Sequence, residues 1–85
     1  MQVVIYGRDN CPYCVKAKAL ATKLKGMIDG FDFEYIDIIA KGLDKEDLAK
    51  IVNKPVQTVP QIILDGKPIG GFTEFDAYAK ANLGA

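Results

Sequence analysis

The sequence predicts an α/β fold: a four-stranded mixed β-sheet flanked by three α-helices, in one domain over residues 1–85. Three observations predict it. Two strand-like segments are separated by one long helical stripe, which makes a parallel crossover. A second pair of strand-like segments is separated by Asp65-Gly66 alone, which makes a hairpin. Helical patterns follow the second strand and the hairpin.

The elements come in this order. Gln2 to Tyr6 is β-branched, aromatic and nearly continuous in apolar character, so it reads as a buried strand that ends at Gly7. Pro12 suits the first turn of a helix, where its missing N–H costs nothing. Cys14, Ala17, Ala21 and Leu24 then fall on one face of that helix, with Leu20 beside them, and Gly26 reads as its stop. Phe31 to Ile39 is the second strand: Phe31, Phe33 and Tyr35 alternate with Asp32 and Glu34. Asp44 caps a second helix with Asp47 in its first turn, Leu48, Ile51 and Val52 form its apolar face, and Asn53-Lys54-Pro55 ends it. Gln61 to Leu64 and Lys67 to Ile69 form the hairpin, and Pro68 places its second strand at a sheet edge. Gly70-Gly71 breaks the chain. Thr73 to Asp76 reads as a capping box that opens a last helix, with Phe75, Tyr78 and Ala79 facing inward.

Composition removes several classes of function. The chain has no histidine, which excludes Ser-His-Asp and Cys-His mechanisms. With 11 basic and 11 acidic side chains it lacks the cationic excess that nucleic-acid binding feeds on. Residues 1–30 nevertheless carry five basic and two acidic groups, so the two cysteines sit in a basic neighbourhood. The longest apolar run is Val3 to Tyr6, far below the ~18 residues of a membrane span. Two cysteines and no export signal point to a reducing cytoplasm, where disulfides are catalytic or transient.

Cys11-Pro12-Tyr13-Cys14 carries the chemistry. At a strand-to-helix junction the first sulfur meets the unpaired N–H groups and the positive end of the helix dipole, which favour a thiolate. Arg8 and Lys16 are close enough in sequence to assist. Cys14 lies one turn on, within reach of the first sulfur, and belongs to the apolar stripe. That asymmetry makes Cys11 the attacking nucleophile and Cys14 the group that resolves the mixed disulfide. A structural disulfide is disfavoured by so short a loop and a cytosolic setting. A zinc site is disfavoured because one chain offers neither histidine nor a third cysteine, so no metal ligand is assigned. Inert core cysteines do not explain Pro12 at the helix start.

Two further segments each admit two readings. Thr58-Val59-Pro60 is either an ordinary loop before a strand, or a cis-proline loop whose Val59 backbone pairs with an extended thiol peptide. Gly70-Gly71-Phe72-Thr73-Glu74 is either a capped strand-to-helix turn, or a site where glycine admits a ligand and the helix N-terminus attracts a carboxylate.

With these three elements in this order, the chain resembles the glutaredoxin family, most closely the small bacterial dithiol members, over essentially its whole length. The resemblance implies a thioredoxin-like fold, a cis Val59-Pro60 bond, and glutathione as reducing co-substrate with no tightly bound cofactor. It places glutathione across Cys11, Tyr13, Thr58, Val59, Pro60, Gly71, Phe72, Thr73 and Glu74, with Arg8 at the glycyl end. The cysteinyl backbone pairs with Val59, and the γ-glutamyl carboxylate sits at the start of the last helix. Phe72 stands where tyrosine is frequent in the family, and Glu74 where aspartate is usual. The implied partners are glutathione and protein disulfides, including ribonucleotide reductase as electron acceptor, with a monomer as the acting form. Two rival readings are a thioredoxin-type reductase and a carrier of a glutathione-ligated iron–sulfur cluster. There is no tryptophan before the motif, and Tyr13 stands where thioredoxins have Gly-Pro; Pro12 stiffens the chain where a cluster needs opening.

Overall fold

The apolar run near the N-terminus becomes an inner strand. In a computed structural model describing residues 1–85, β1 (Gln2–Gly7) lies between β2 (Asp32–Asp37) and β3 (Gln61–Leu64), and β4 (Lys67–Gly70) completes the order β2-β1-β3-β4. β1 runs parallel to β2 and antiparallel to β3, so the sheet is mixed. The crossover between β1 and β2 is helix α1 (Pro12–Met27); α2 (Lys45–Val52) precedes β3, and α3 (Phe72–Asn82) follows β4. This is the thioredoxin-like arrangement of four strands and three helices. No helix is long and apolar enough to cross a membrane.

Alternation along the strands divides the apolar side chains between two faces. Val3, Ile5 and Ile62 join Ala17, Ala21 and Leu24 of α1 and Phe75 and Ala79 of α3 in one core. Tyr6 and Ile63 point the other way, against Ile38, Leu48, Val52 and Val56 in a second core beneath α2. α1 and α3 therefore cover one face of the sheet and α2 the other. Tyr78, which the periodicity turns inward, is half-buried.

The hairpin forms as its turn residues dictate. Asp65 (φ 48°) and Gly66 (φ 82°) both adopt positive φ, the mark of a type I′ turn, and β4 is the edge strand. The cap of α2 also forms: Asp47 N–H donates to Asp44 Oδ1 at 2.9 Å, and Asp44 N–H donates to Asp47 Oδ2 at 3.0 Å.

Three boundaries differ from those read in the sequence. β2 stops at Asp37 rather than Ile39, because the Asp37 carboxylate accepts from the N–H groups of Ile39 and Ala40 and turns the chain. Ile38 is thereby buried and Ile39 exposed. Gly26 does not stop α1. The helix runs through it to Met27, and the positive φ that a turn needs appears at Gly30 (φ 81°) instead. Finally, α3 starts at Phe72 with Gly71 as its N-cap, so Thr73 lies inside the first turn. Glycine offers no capping side chain. Instead Glu74, three residues on, reaches back to accept from Gly71 N–H at 2.7 Å.

Candidate active site

The redox motif sits where β1 hands over to α1. Cys11 is the N-cap of the helix, in extended conformation (φ −122°, ψ 110°), and Pro12 is its first residue. Its Sγ accepts from Cys14 N–H at 3.2 Å, so the sulfur does for this helix what a serine or aspartate oxygen does for others. As a thiol it also donates to Val59 carbonyl oxygen at 3.6 Å. The helix start and the loop before β3 are thus joined through one sulfur atom.

Both cysteines are free thiols, and they differ in access as the stripe on α1 implies. Cys11 keeps 8% of its surface and Cys14 keeps none. Burial, together with the hydrogen bond to Cys11, pushes the Cys14 thiol up to about 12, against a backbone hydrogen bond at Arg8 that works the other way. Near neutral pH Cys14 is therefore a protonated, inaccessible thiol.

Two neighbours hold that geometry. A Cβ on Gly7 would lie 2.6 Å from the Tyr35 hydroxyl and 3.0 Å from Cβ and Sγ of Cys14, so only glycine fits there. The Tyr35 hydroxyl donates to Arg8 carbonyl oxygen at 3.3 Å, fastening the segment that leads into the motif. Burial raises the Tyr35 phenol to about 12. Nothing in the alternating pattern of β2 distinguishes Tyr35 from Phe33, and its role went unread in the sequence. Lys16 Nζ stands 5.1 Å over the Tyr13 ring.

The second and third motifs converge on the first. The Val59-Pro60 bond is cis. The buried side chain of Gln61 donates to Thr58 carbonyl oxygen at 2.8 Å and shapes the loop from within. A cavity of about 300 Å³ is bounded on one side by Tyr13, Thr58, Val59 and Pro60 and on the other by Gly71, Phe72, Thr73 and Glu74. The Tyr13 and Phe72 rings stand 6.2 Å apart across it, tilted by 32°. Phe72 and Thr73 carry early N–H groups of α3, where the helix dipole is positive, while Gly71 N–H is already taken by Glu74.

Arg8 lies outside this group, as does Cys11. It borders a larger cavity, about 560 Å³, which contains Cys11, Thr58 and Val59 and continues over Ile38, Ile39 and Leu43. Sequence reasoning missed this second cavity. Its lining comes from three separate segments, residues 8–12, 38–48 and 56–59, which only the fold brings together.

Comparison with known proteins agrees with this arrangement. A family model for glutaredoxin matches residues 3–69. A glutaredoxin from Haemophilus influenzae is 61% identical over 84 residues, spanning 99% of this chain and 97% of its own. Glutaredoxin 1 of Escherichia coli is 55% identical over 85 residues and covers both chains completely. Among solved structures, oxidised Escherichia coli glutaredoxin, determined by NMR, superposes with a TM-score of 0.89 at 55% identity over the whole of both chains. Glutaredoxin 1 from Francisella tularensis, complexed with cacodylate, gives 0.65 at 40% identity over 99% of this chain and 98% of that one. A Cys-x-x-Cys at a helix start, the loop that touches its first sulfur, and a sequence similar along its full length to proteins of one kind make this chain a member of the glutaredoxin family of thiol–disulfide oxidoreductases.

Proposed function

We propose that this chain is a glutathione-dependent reductase of protein disulfides and glutathione mixed disulfides, with Cys11 as nucleophile and Cys14 as resolving thiol. The observation that carries the proposal is the hydrogen bond from Cys14 N–H to Cys11 Sγ at 3.2 Å, at the positive end of α1. The bond holds Cys11 Sγ at the helix start, one turn from its partner thiol, and a thiolate at that sulfur is the nucleophile that disulfide exchange requires.

The sequence of events follows from the two environments. Cys11 thiolate attacks one sulfur of a substrate disulfide, and the other sulfur leaves as a thiol after taking a proton from water. With a protein disulfide, Cys14 then loses its proton and attacks Cys11 Sγ. The substrate's remaining sulfur is released, and a Cys11–Cys14 disulfide is left. Glutathione attacks that disulfide at Cys11, and Cys14 leaves. A second glutathione removes the first as glutathione disulfide and restores both thiols. With a glutathione mixed disulfide, Cys11 takes the glutathionyl group directly and Cys14 is not required.

Glutathione is assigned to the 300 Å³ cavity. Its cysteinyl backbone pairs with Val59, between Tyr13 and Thr58, with Pro60 as the wall behind. Its γ-glutamyl carboxylate lies at Gly71, Phe72, Thr73 and Glu74, where the N–H groups of Phe72 and Thr73 are the available donors. Arg8 receives the glycyl carboxylate from the side of the larger cavity. The same reading makes the acting form a cytoplasmic monomer and includes ribonucleotide reductase among the electron acceptors.

The test is turnover of the mixed disulfide of glutathione and 2-mercaptoethanol, and of a protein disulfide, with glutathione as reductant. Cys11→Ser abolishes both activities. Cys14→Ser loses protein-disulfide reduction and keeps deglutathionylation. Loss of both in Cys14→Ser overturns the assigned roles, and equal turnover with thioredoxin reductase in place of glutathione overturns the choice of reductant.

A further inference from the structure

Cys14 faces a difficulty that Cys11 does not. When a thiolate opens the Cys11–Cys14 disulfide at Cys11, the electron pair of the broken bond passes to the Cys14 sulfur. Cys14 keeps no exposed surface, so water does little to solvate that charge. Burial, then Cys11, disfavours a negative Cys14 sulfur, and against them stands a hydrogen bond from the Arg8 backbone.

That bond lasts only while residue 8 is held in place, and two hydrogen bonds hold it. Ile38 N–H donates to Gly7 carbonyl oxygen at 2.9 Å and fixes the peptide unit that carries the Arg8 N–H. The Tyr35 hydroxyl donates to Arg8 carbonyl oxygen at 3.3 Å and fixes the next unit. The first is backbone to backbone, whereas the second depends on a single side-chain oxygen. Gly7 makes room for it: a Cβ there would stand 2.6 Å from the Tyr35 hydroxyl and 3.0 Å from Cys14 Sγ, so both atoms border the same small space. The ring is fixed independently, by packing against the first core and by Lys18 Nζ 4.9 Å over its face. Phe33 packs against the same core without a hydroxyl, so packing alone does not ask for one at Tyr35.

We propose that Tyr35 is a positioning residue for the Cys14 half of the reaction: its hydroxyl holds the Arg8 backbone against the Cys14 sulfur and so speeds opening of the Cys11–Cys14 disulfide. The proposal rests on the reading of Cys14 as the resolving thiol. Tyr35 acts through Arg8 and transfers no proton. In the opening step the sulfur of a thiolate reductant bonds to Cys11 Sγ and the Cys11–Cys14 bond breaks. Cys14 leaves with the electron pair and takes a proton from water, while the reductant's sulfur enters the new mixed disulfide.

Tyr35→Phe keeps the ring and removes only the hydroxyl. Two rates are measured near neutral pH in single turnovers, quenched with acid and resolved by mass. The first is opening of the oxidised protein by excess dithiothreitol, whose own ring closure completes the reduction after the first attack. The second is transfer of the glutathionyl group from the mixed disulfide of glutathione and 2-mercaptoethanol to Cys11 in a Cys14→Ser background, where no second enzyme sulfur takes part. Tyr35→Phe lowers the ratio of the first rate to the second about three- to tenfold, the worth of one hydrogen bond. General damage to the site lowers both rates together. An unchanged or raised ratio, whether both rates fall or neither moves, overturns the proposal. Failure of the underlying reading is visible separately, as protein-disulfide reduction that survives in Cys14→Ser.

Discussion

Two glycine-to-alanine changes, 19 positions apart, move stability in opposite directions, and together they test the packing around the redox motif. Gly7 lies at the end of β1 without a positive φ, so its backbone accepts alanine. Space does not: the added methyl meets the Tyr35 hydroxyl at 2.6 Å and Cys14 Cβ and Sγ at 3.0 Å. Overpacking of that kind costs about 1–3 kcal/mol, and the reduced freedom of the unfolded chain returns roughly 0.4–1 kcal/mol. The net loss is about 1–2 kcal/mol, a fall in Tm of roughly 4–16 °C for a domain of this size. Gly26 lies inside α1, and nothing stands within 4 Å of its added Cβ. There alanine gains about 0.5–1 kcal/mol from helix preference, raising Tm by roughly 2–8 °C. The assay is thermal unfolding of the reduced protein followed by far-UV circular dichroism. Tyr35→Phe removes the atom nearest the new methyl, so the double variant Gly7→Ala/Tyr35→Phe is destabilised by less than the sum of the singles. A Gly7→Ala protein as stable as the parent, or strict additivity with Tyr35→Phe, refutes the packing argument.

Three other outcomes follow from the same geometry. With iodoacetamide near neutral pH, the native reduced protein takes one label, at Cys11, because Cys14 is buried and its thiol is held up to about 12; peptide mapping that finds Cys14 labelled equally contradicts this. Stability of the reduced protein, read as the urea midpoint, falls as pH rises from about 9 toward 12. Cys14 and Tyr35 have folded values raised to about 12 from 9.0 and 10.0, so the unfolded chain ionises first and is favoured in that window, and below it their contribution is intact. Tyr35→Phe flattens the part of this fall that begins near pH 10, and an unchanged slope counts against it. At the start of α3, Glu74→Ala removes the acceptor for Gly71 N–H and lowers stability by about 0.5–1.5 kcal/mol, whereas Glu74→Gln keeps an acceptor and stays close to the parent in Tm.

Local chemistry explains why so much of this molecule was legible in its sequence. The Asp65-Gly66 turn, the Asp44–Asp47 cap and the stripe from Cys14 to Leu24 each depend on residues a few positions apart, whose preferences the rest of the fold does not oppose. The Cys-x-x-Cys pair belongs to the same class, since its spacing sets one sulfur at the helix start and the other a turn deeper. The boundaries read differently in the sequence failed where two local signals competed. Gly26 is a good helix stop by type, but nothing required a left-handed residue until Gly30. Thr73 is a good cap by type, but Glu74 selected Gly71. Asp37 ended its strand through its own side chain while the apolar run continued to Ile39.

By itself the sequence determined the order of elements, the cysteine that heads the helix, and the family to which the chain belongs. Tertiary structure alone decided that Val59 meets Cys11 Sγ and that Tyr35 and Cys14 fill the space a side chain on Gly7 would need. It also decided that a groove opens beside the nucleophile over Ile38, Ile39 and Leu43. The physical reason is range. Caps, turns and stripes are set by neighbours along the chain, whereas burial, and with it the contrast between the two thiols, exists only once segments as distant as Cys11 and Val59, 48 residues apart, are packed against each other.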